Sequence, residues 1–113
     1  MNAPTPKPGP VLRIFEVTAK PGCVETLLEK FATTSAAVVA DEPGNAGYFF
    51  GRCVQPATDA DSMMFVSLWT DLDAVKARFG ADWQESFLPE GYDDLIERHS
   101  LRHIDASGGW HIA

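Results

Sequence analysis

Three stretches of this chain are apolar on both alternating sets of positions: Val11-Leu12-Arg13-Ile14-Phe15, Tyr48-Phe49-Phe50 and Met63-Met64-Phe65-Val66. Runs of β-branched and aromatic side chains bounded by turn residues form strands. A strand apolar on both parities needs cover on both of its faces. The intervening segments set how much cover the chain has to offer. Strand one is expected over 11–18 and stops at Lys20-Pro21-Gly22. Val24, Leu27, Leu28, Phe31, Ser35, Val38 and Val39 then recur with helical spacing, and Pro43-Gly44 ends that helix. Strands over 47–54 and 62–69 make a hairpin through QPATDAD. Asp71 opens a second helix with Leu72, Val75 and Phe79 inward, stopped at Gly80. Residues 81–90 are irregular, 92–98 are expected to be helical, and 100–105 form the last strand.

The order β-α-β-β-α-β is the split βαβ arrangement of an α+β ferredoxin-like sandwich. Right-handed crossovers place two helices on one face of a four-stranded antiparallel sheet. A chain of 113 residues holds one domain and has nothing left for the other face. A second copy packing sheet against sheet would cover it, so a homodimer is expected. The other reading puts the surplus apolar residues at strand ends, under the 81–90 segment.

Sixteen acidic against nine basic side chains give a net charge of -7. That balance excludes a generic nucleic-acid binder and disfavours an anionic membrane surface. No apolar stretch approaches the ~20 residues of a membrane helix. Residues 1–10 form a proline-rich lead-in with no secretory signal, 11–105 the domain, and 106–113 a glycine-broken tail with Trp110, His111 and Ile112. Two cysteines, Cys23 and Cys53, make neither a disulfide framework nor a zinc site, so a reduced, cytoplasmic setting is expected.

No phosphate loop, dinucleotide fingerprint or metal cluster is present in the sequence. Tyr48, Phe50 and Arg52 share one side of their strand; Met63, Phe65, Ser67 and Trp69 share one side of theirs. If these sides face the helices, Trp69 and Phe79 wall a flat aromatic pocket, with Phe15 in its lining and Trp83 as a lid. The same residues also suit an ordinary aromatic core. Arg13 and Arg52 interrupt apolar strands, so each needs a carboxylate, a carbonyl or an anionic ligand. A salt bridge across the dimer and a bound anion both answer that need. His99 and His103 are four apart, but a strand starting at residue 100 separates them, and no metal site is expected. His103 is the candidate base; a partly exposed histidine near a strand end is the other reading.

Taken together, these motifs resemble the antibiotic biosynthesis monooxygenase group of dimeric α+β-barrel proteins. Strand one closes with Val17-Thr18-Ala19-Lys20-Pro21-Gly22, the first helix ends in Asp41-Glu42-Pro43-Gly44 before an aromatic strand, and strand three ends in Leu68-Trp69-Thr70-Asp71-Leu72-Asp73-Ala74. The resemblance spans about residues 11 to 105. It implies two four-stranded sheets forming a barrel, with a pocket in each subunit. It also implies a choice of activities: oxygenation of aromatic phenols or quinols without metal or flavin, haem degradation, isomerisation, or none known. Trp69 matches the tryptophan that lines the pocket. The histidine that haem-degrading relatives carry on the second helix has no counterpart within 75–79, and their strand-one asparagine is missing from VLRIFEVT. The expectation is a cofactor-independent monooxygenase of a polycyclic phenol or quinol, a small aromatic partner, with Trp69 and His103 catalytic and Phe15, Tyr48, Phe50, Arg52, Phe65, Phe79 and Trp83 binding substrate. The alternative is a non-catalytic ligand-binding or structural homodimer of the same fold.

Overall fold

The computed structural model describes residues 9–54 and 61–108. The proline-rich lead-in up to residue 8, the hairpin segment 55–60 and Trp110, His111 and Ile112 lie outside the described residues. Strands β1 (Val11–Ala19), β2 (Asn45–Arg52), β3 (Ser62–Trp69) and β4 (Ile96–Asp105) form one sheet in the order β2-β3-β1-β4. All three pairings are antiparallel. This is the ferredoxin-like α+β arrangement that the element order called for.

Helical backbone runs from Val24 to Val39 as α1 (Val24–Lys30), a π turn (Phe31–Ser35) and α2 (Ala36–Val39). The π turn shows in the Ala36 N–H, which donates to the Phe31 carbonyl five residues back. Helix α3 (Leu72–Phe79) is capped by the Asp71 carboxylate, which accepts from the Ala74 N–H at 2.8 Å. It ends at Gly80, where φ is +74°. Residues alternate strictly along β1: Arg13, Phe15, Val17 and Ala19 are buried beneath the helices, while Leu12, Ile14, Glu16 and Thr18 turn outward half-covered. Phe15, Val17, Leu27, Phe31, Met63, Phe65, Trp69, Val75 and Tyr92 form the centre of the core.

Two expectations are corrected. Residues 92–98 are not a helix: Tyr92 and Leu95 lie in turns, and β4 already begins at Ile96. The Lys20 N–H donates to the Leu95 carbonyl at 2.8 Å, and Ile96 pairs with Ala19 across a register shift, so the edge of β1 draws this segment into the sheet. His99 and His103 therefore share one strand and one face, not two elements. Four residues of strand hold them roughly 13 Å apart at the backbone, too far for a common metal ion. Among the described residues no cluster suited to a metal ion occurs.

Candidate functional site

One row of register partners crosses the sheet beneath the helices: Tyr48 on β2, Ser67 on β3, Arg13 on β1 and His103 on β4. The next row toward the far end is Phe50, Phe65, Phe15 and Leu101. Side chains at paired positions on one face touch their neighbours, so a polar row lies alongside an aromatic one. Over both rows sits a cavity with about 40 Å³ of room. Phe15, Phe65, Phe79, Phe87 and Val39 provide most of its apolar lining, and Arg13, Ser35 and Ser67 its polar groups.

Arg13 is only 5% exposed. Its Nη1 donates to the Trp83 carbonyl at 2.6 Å and to His103 Nε2 at 3.0 Å, and its Nη2 donates to the Glu85 carbonyl at 3.3 Å. The Phe79 ring packs over the guanidinium, 3.7 Å from ring centre to Cζ. Burial, and then the nearby Arg78 charge, lowers the Arg13 pKa from 12.5 to about 10, so it remains a cation at neutral pH. Because Arg13 can only donate, His103 Nε2 must accept, which puts the imidazole proton on Nδ1. Burial and the Arg13 charge together lower the His103 pKa to about 4. At neutral pH this histidine is uncharged, and its Nε2 lone pair is already engaged.

Trp69 is fully buried and stands directly behind the cavity wall. Its indole Nε1 donates to Ser67 Oγ at 2.8 Å, and its ring meets Phe79 edge-on at 5.8 Å. With its oxygen accepting from Trp69, the Ser67 hydroxyl keeps its own proton to donate. Tyr48 and Phe50 stack on Phe65 at 5.5 and 6.1 Å and buttress the aromatic row from β2. Trp83 meets the His103 ring edge-on at 5.0 Å. Arg52 lies elsewhere on β2, paired with Met63 in register and with Glu25 of α1 at 3.4 Å.

Residues 83–89 form a cover over the cavity. The Trp83 and Glu85 carbonyls hold it to Arg13, and Ser86 Oγ meets His99 Nδ1 at 2.9 Å. Phe87 and Pro89 bring it into the wall. On the opposite side, the π turn carries Ser35 to the cavity. The Tyr92 hydroxyl donates to the Lys30 carbonyl at 3.1 Å, so Ser35 must donate to Tyr92 at 2.6 Å. Burial raises the Tyr92 pKa and keeps the phenol neutral.

Of the sequence candidates, Phe15, Phe65 and Phe79 line the cavity, Trp69, Tyr48 and Phe50 support its wall, and Trp83 and His103 reach it through Arg13. No sequence pattern singles out Ser35, Phe87, Pro89 or Leu101 as site residues. Arg13 does stand out as a charge inside an apolar strand, a sound signal, but its register partners are invisible at that level.

The fold is shared with solved structures of low identity. A Pseudomonas aeruginosa protein is 21% identical over 86% of this chain and 93% of its own, with a TM-score of 0.65. A Mesorhizobium loti dabb family protein with a ferredoxin-like fold is 14% identical over 85% and 95%, with a TM-score of 0.63. SnoaB from Streptomyces nogalater, a cofactor-independent oxygenase solved as a point mutant, is 17% identical over 86% and 92%, with a TM-score of 0.58. Among curated proteins no relative matches the sequence. The sequence model for the antibiotic biosynthesis monooxygenase family, however, matches residues 10–87, most of the described domain, and the chain belongs to that family.

Proposed function

We propose that the protein is a cofactor-independent monooxygenase of an electron-rich aromatic phenol or quinol, with the cavity over β1 and β3 as its substrate site. The observation that supports this reading is an aromatic-walled cavity, backed by Trp69 and holding a buried cation, in a chain of this family. In such chemistry the substrate first gives a proton to solvent water and binds as its anion. The electron-rich anion then passes one electron to dioxygen, the radical pair joins to form a carbon–oxygen bond, and the resulting peroxide anion takes a proton back from water. The hydroperoxide loses water, so the reacting carbon gives up two hydrogens, gains one oxygen, and the second oxygen leaves as water. The protein need only exclude bulk water, hold the ring and stabilise the anion.

Phe15, Phe65 and Phe79 supply flat contact, and Trp69 fixes the Ser67 hydroxyl. His103 is better suited to hold Arg13 in place than to take a proton, because its lone pair is engaged and its basicity lowered. Arg52, paired with Glu25, is a poorer anion holder than Arg13. The working unit is a homodimer joined through the outer face of the sheet.

A second reading, a ligand-binding homodimer without catalysis, draws on the cavity's modest room and the lack of a carboxylate among its lining residues. Oxygen uptake with a panel of hydroquinones and anthrone-type phenols, with chelator present and autoxidation subtracted, separates the two. Uptake that survives the chelator and falls about tenfold or more in Trp69→Ala is expected, because Ser67 and Phe79 lose the indole that positions them in the cavity wall. No enhancement on any substrate favours the binding dimer.

A further inference from the structure

We infer that the cavity selects aromatic ligands in their anionic form, with the charged oxygen bound at Arg13. The inference rests on reading this cavity as the ligand site and adds the ionisation state it takes. Among the described residues Arg52 pairs with Glu25, Arg78 with Glu42 and Arg102 with Glu16. Of the five arginines only Arg13 is buried, Arg98 being exposed on β4, and Arg13 has no carboxylate within 4 Å among those residues. Its partners are two main-chain carbonyls and a neutral imidazole. A buried cation served by neutral dipoles and the face of the Phe79 ring, with no counter-charge, favours an anionic ligand.

The hydrogen-bond inventory agrees. A guanidinium has five N–H groups, and three serve Trp83, His103 and Glu85. The Nε–H and one Nη2–H have no acceptor among the described residues, and such adjacent groups take a carboxylate or phenolate oxygen in fork geometry. Ser67, the register partner of Arg13, has a hydroxyl proton to add. The wider field points the same way. In a chain of net charge -7, Arg13 and Arg78 both approach the Phe79 ring, and Lys76 sits 5.5 Å from the centre of Trp83.

Room for the ring comes from the cover. About 40 Å³ holds a few waters but no aromatic ring. The anionic oxygen takes the Nε–H and the remaining Nη2–H, while the Trp83 and Glu85 carbonyls stay on Arg13, so the ring enters by displacing Phe87 and Pro89, the part of this cover that lines the cavity.

Calorimetric titration without oxygen tests this on matched pairs, benzoate against benzamide and 2-naphthoate against 2-naphthamide. The carboxylates are expected to bind at least about tenfold more tightly, the scale of one charged hydrogen bond. Arg13→Gln should bring each pair within about twofold, whereas Lys20→Gln, an equal loss of charge in an exposed turn, should keep the preference. In the wild type, the Arg13 Nε–H resonance should shift with benzoate, a readout that stands even where Arg13→Gln fails to fold. Equal affinity within pairs, binding of neither member, an unmoved Arg13 resonance, or a preference that survives in folded Arg13→Gln would each overturn the inference. Charge preference without oxygen uptake would leave it standing and remove the monooxygenase reading; uptake without charge preference would do the reverse.

Discussion

His103 illustrates how one contact resets a side chain's chemistry. A histidine ordinarily titrates near pH 6.5, but partial burial and the Arg13 charge bring this one down to about 4. The folded state thus disfavours the protonated form relative to the unfolded chain. Its contribution to stability is complete above pH 6.5 and is lost as pH falls from there toward 4. Allowing for its partial contact with water, the loss is about 1–2 kcal/mol. Urea unfolding at pH 7 and pH 4.5 should show that drop, reduced in His103→Gln, and the imidazole should titrate near pH 4 by NMR. A midpoint near 6.5 would mean that the Arg13 contact is not held in solution. The alternation of residues along the strand marked His103 as a candidate. What it could not reveal is that the histidine faces an arginine ninety positions earlier in the chain.

Among the elements, the ones with local punctuation were the most readable. β3 spans Ser62–Trp69 as its apolar run implied, and α3 lies between the Asp71 cap and Gly80. The segment 92–98 misled because Tyr92, Leu95 and Ile96 imitate helical spacing. Their apolar contacts are instead met by a turn that buries Tyr92 under the first helix and by a strand that starts at Ile96. The π turn was equally hidden, since the 3.6-residue pattern of Phe31, Ser35 and Val39 hardly changes when one hydrogen bond lengthens. Gly44 is the element-scale test. Its φ is +85°, and an added methyl would run into the Ala74 side chain on α3 and come within 3.2 Å of Thr70 Oγ1. Gly44→Ala should destabilise the fold by about 2 kcal/mol or more, read as a lowered denaturant midpoint. An unchanged midpoint would show that the junction between α2 and β2 can shift freely.

For the whole molecule the open question is the face of the sheet turned away from the helices. Phe49, Met64 and Ile104 are 57%, 38% and 42% exposed there, with Leu12, Ile14 and Leu68 half-covered among them. Contiguous apolar surface of this kind marks an interface. Light scattering should return about twice the 12.3 kDa chain mass, and Phe49→Lys combined with Ile104→Lys should shift the protein toward the monomer with its helical signal intact. A wild-type mass near 12.3 kDa at micromolar concentration would remove the dimer. The sequence by itself determined the order of the four strands and two main helices and with it the ferredoxin-like class, because periodicity and turn chemistry act over a few residues; the family entered through the resemblance of three short motifs. Tertiary structure alone decided that Arg13, not Arg52, meets the cavity, that His103 is spent on holding it, and that residues 83–89 close over both. Those outcomes depend on cross-strand register and on a buried charge finding partners 70 to 90 positions away, and no local pattern carries that information.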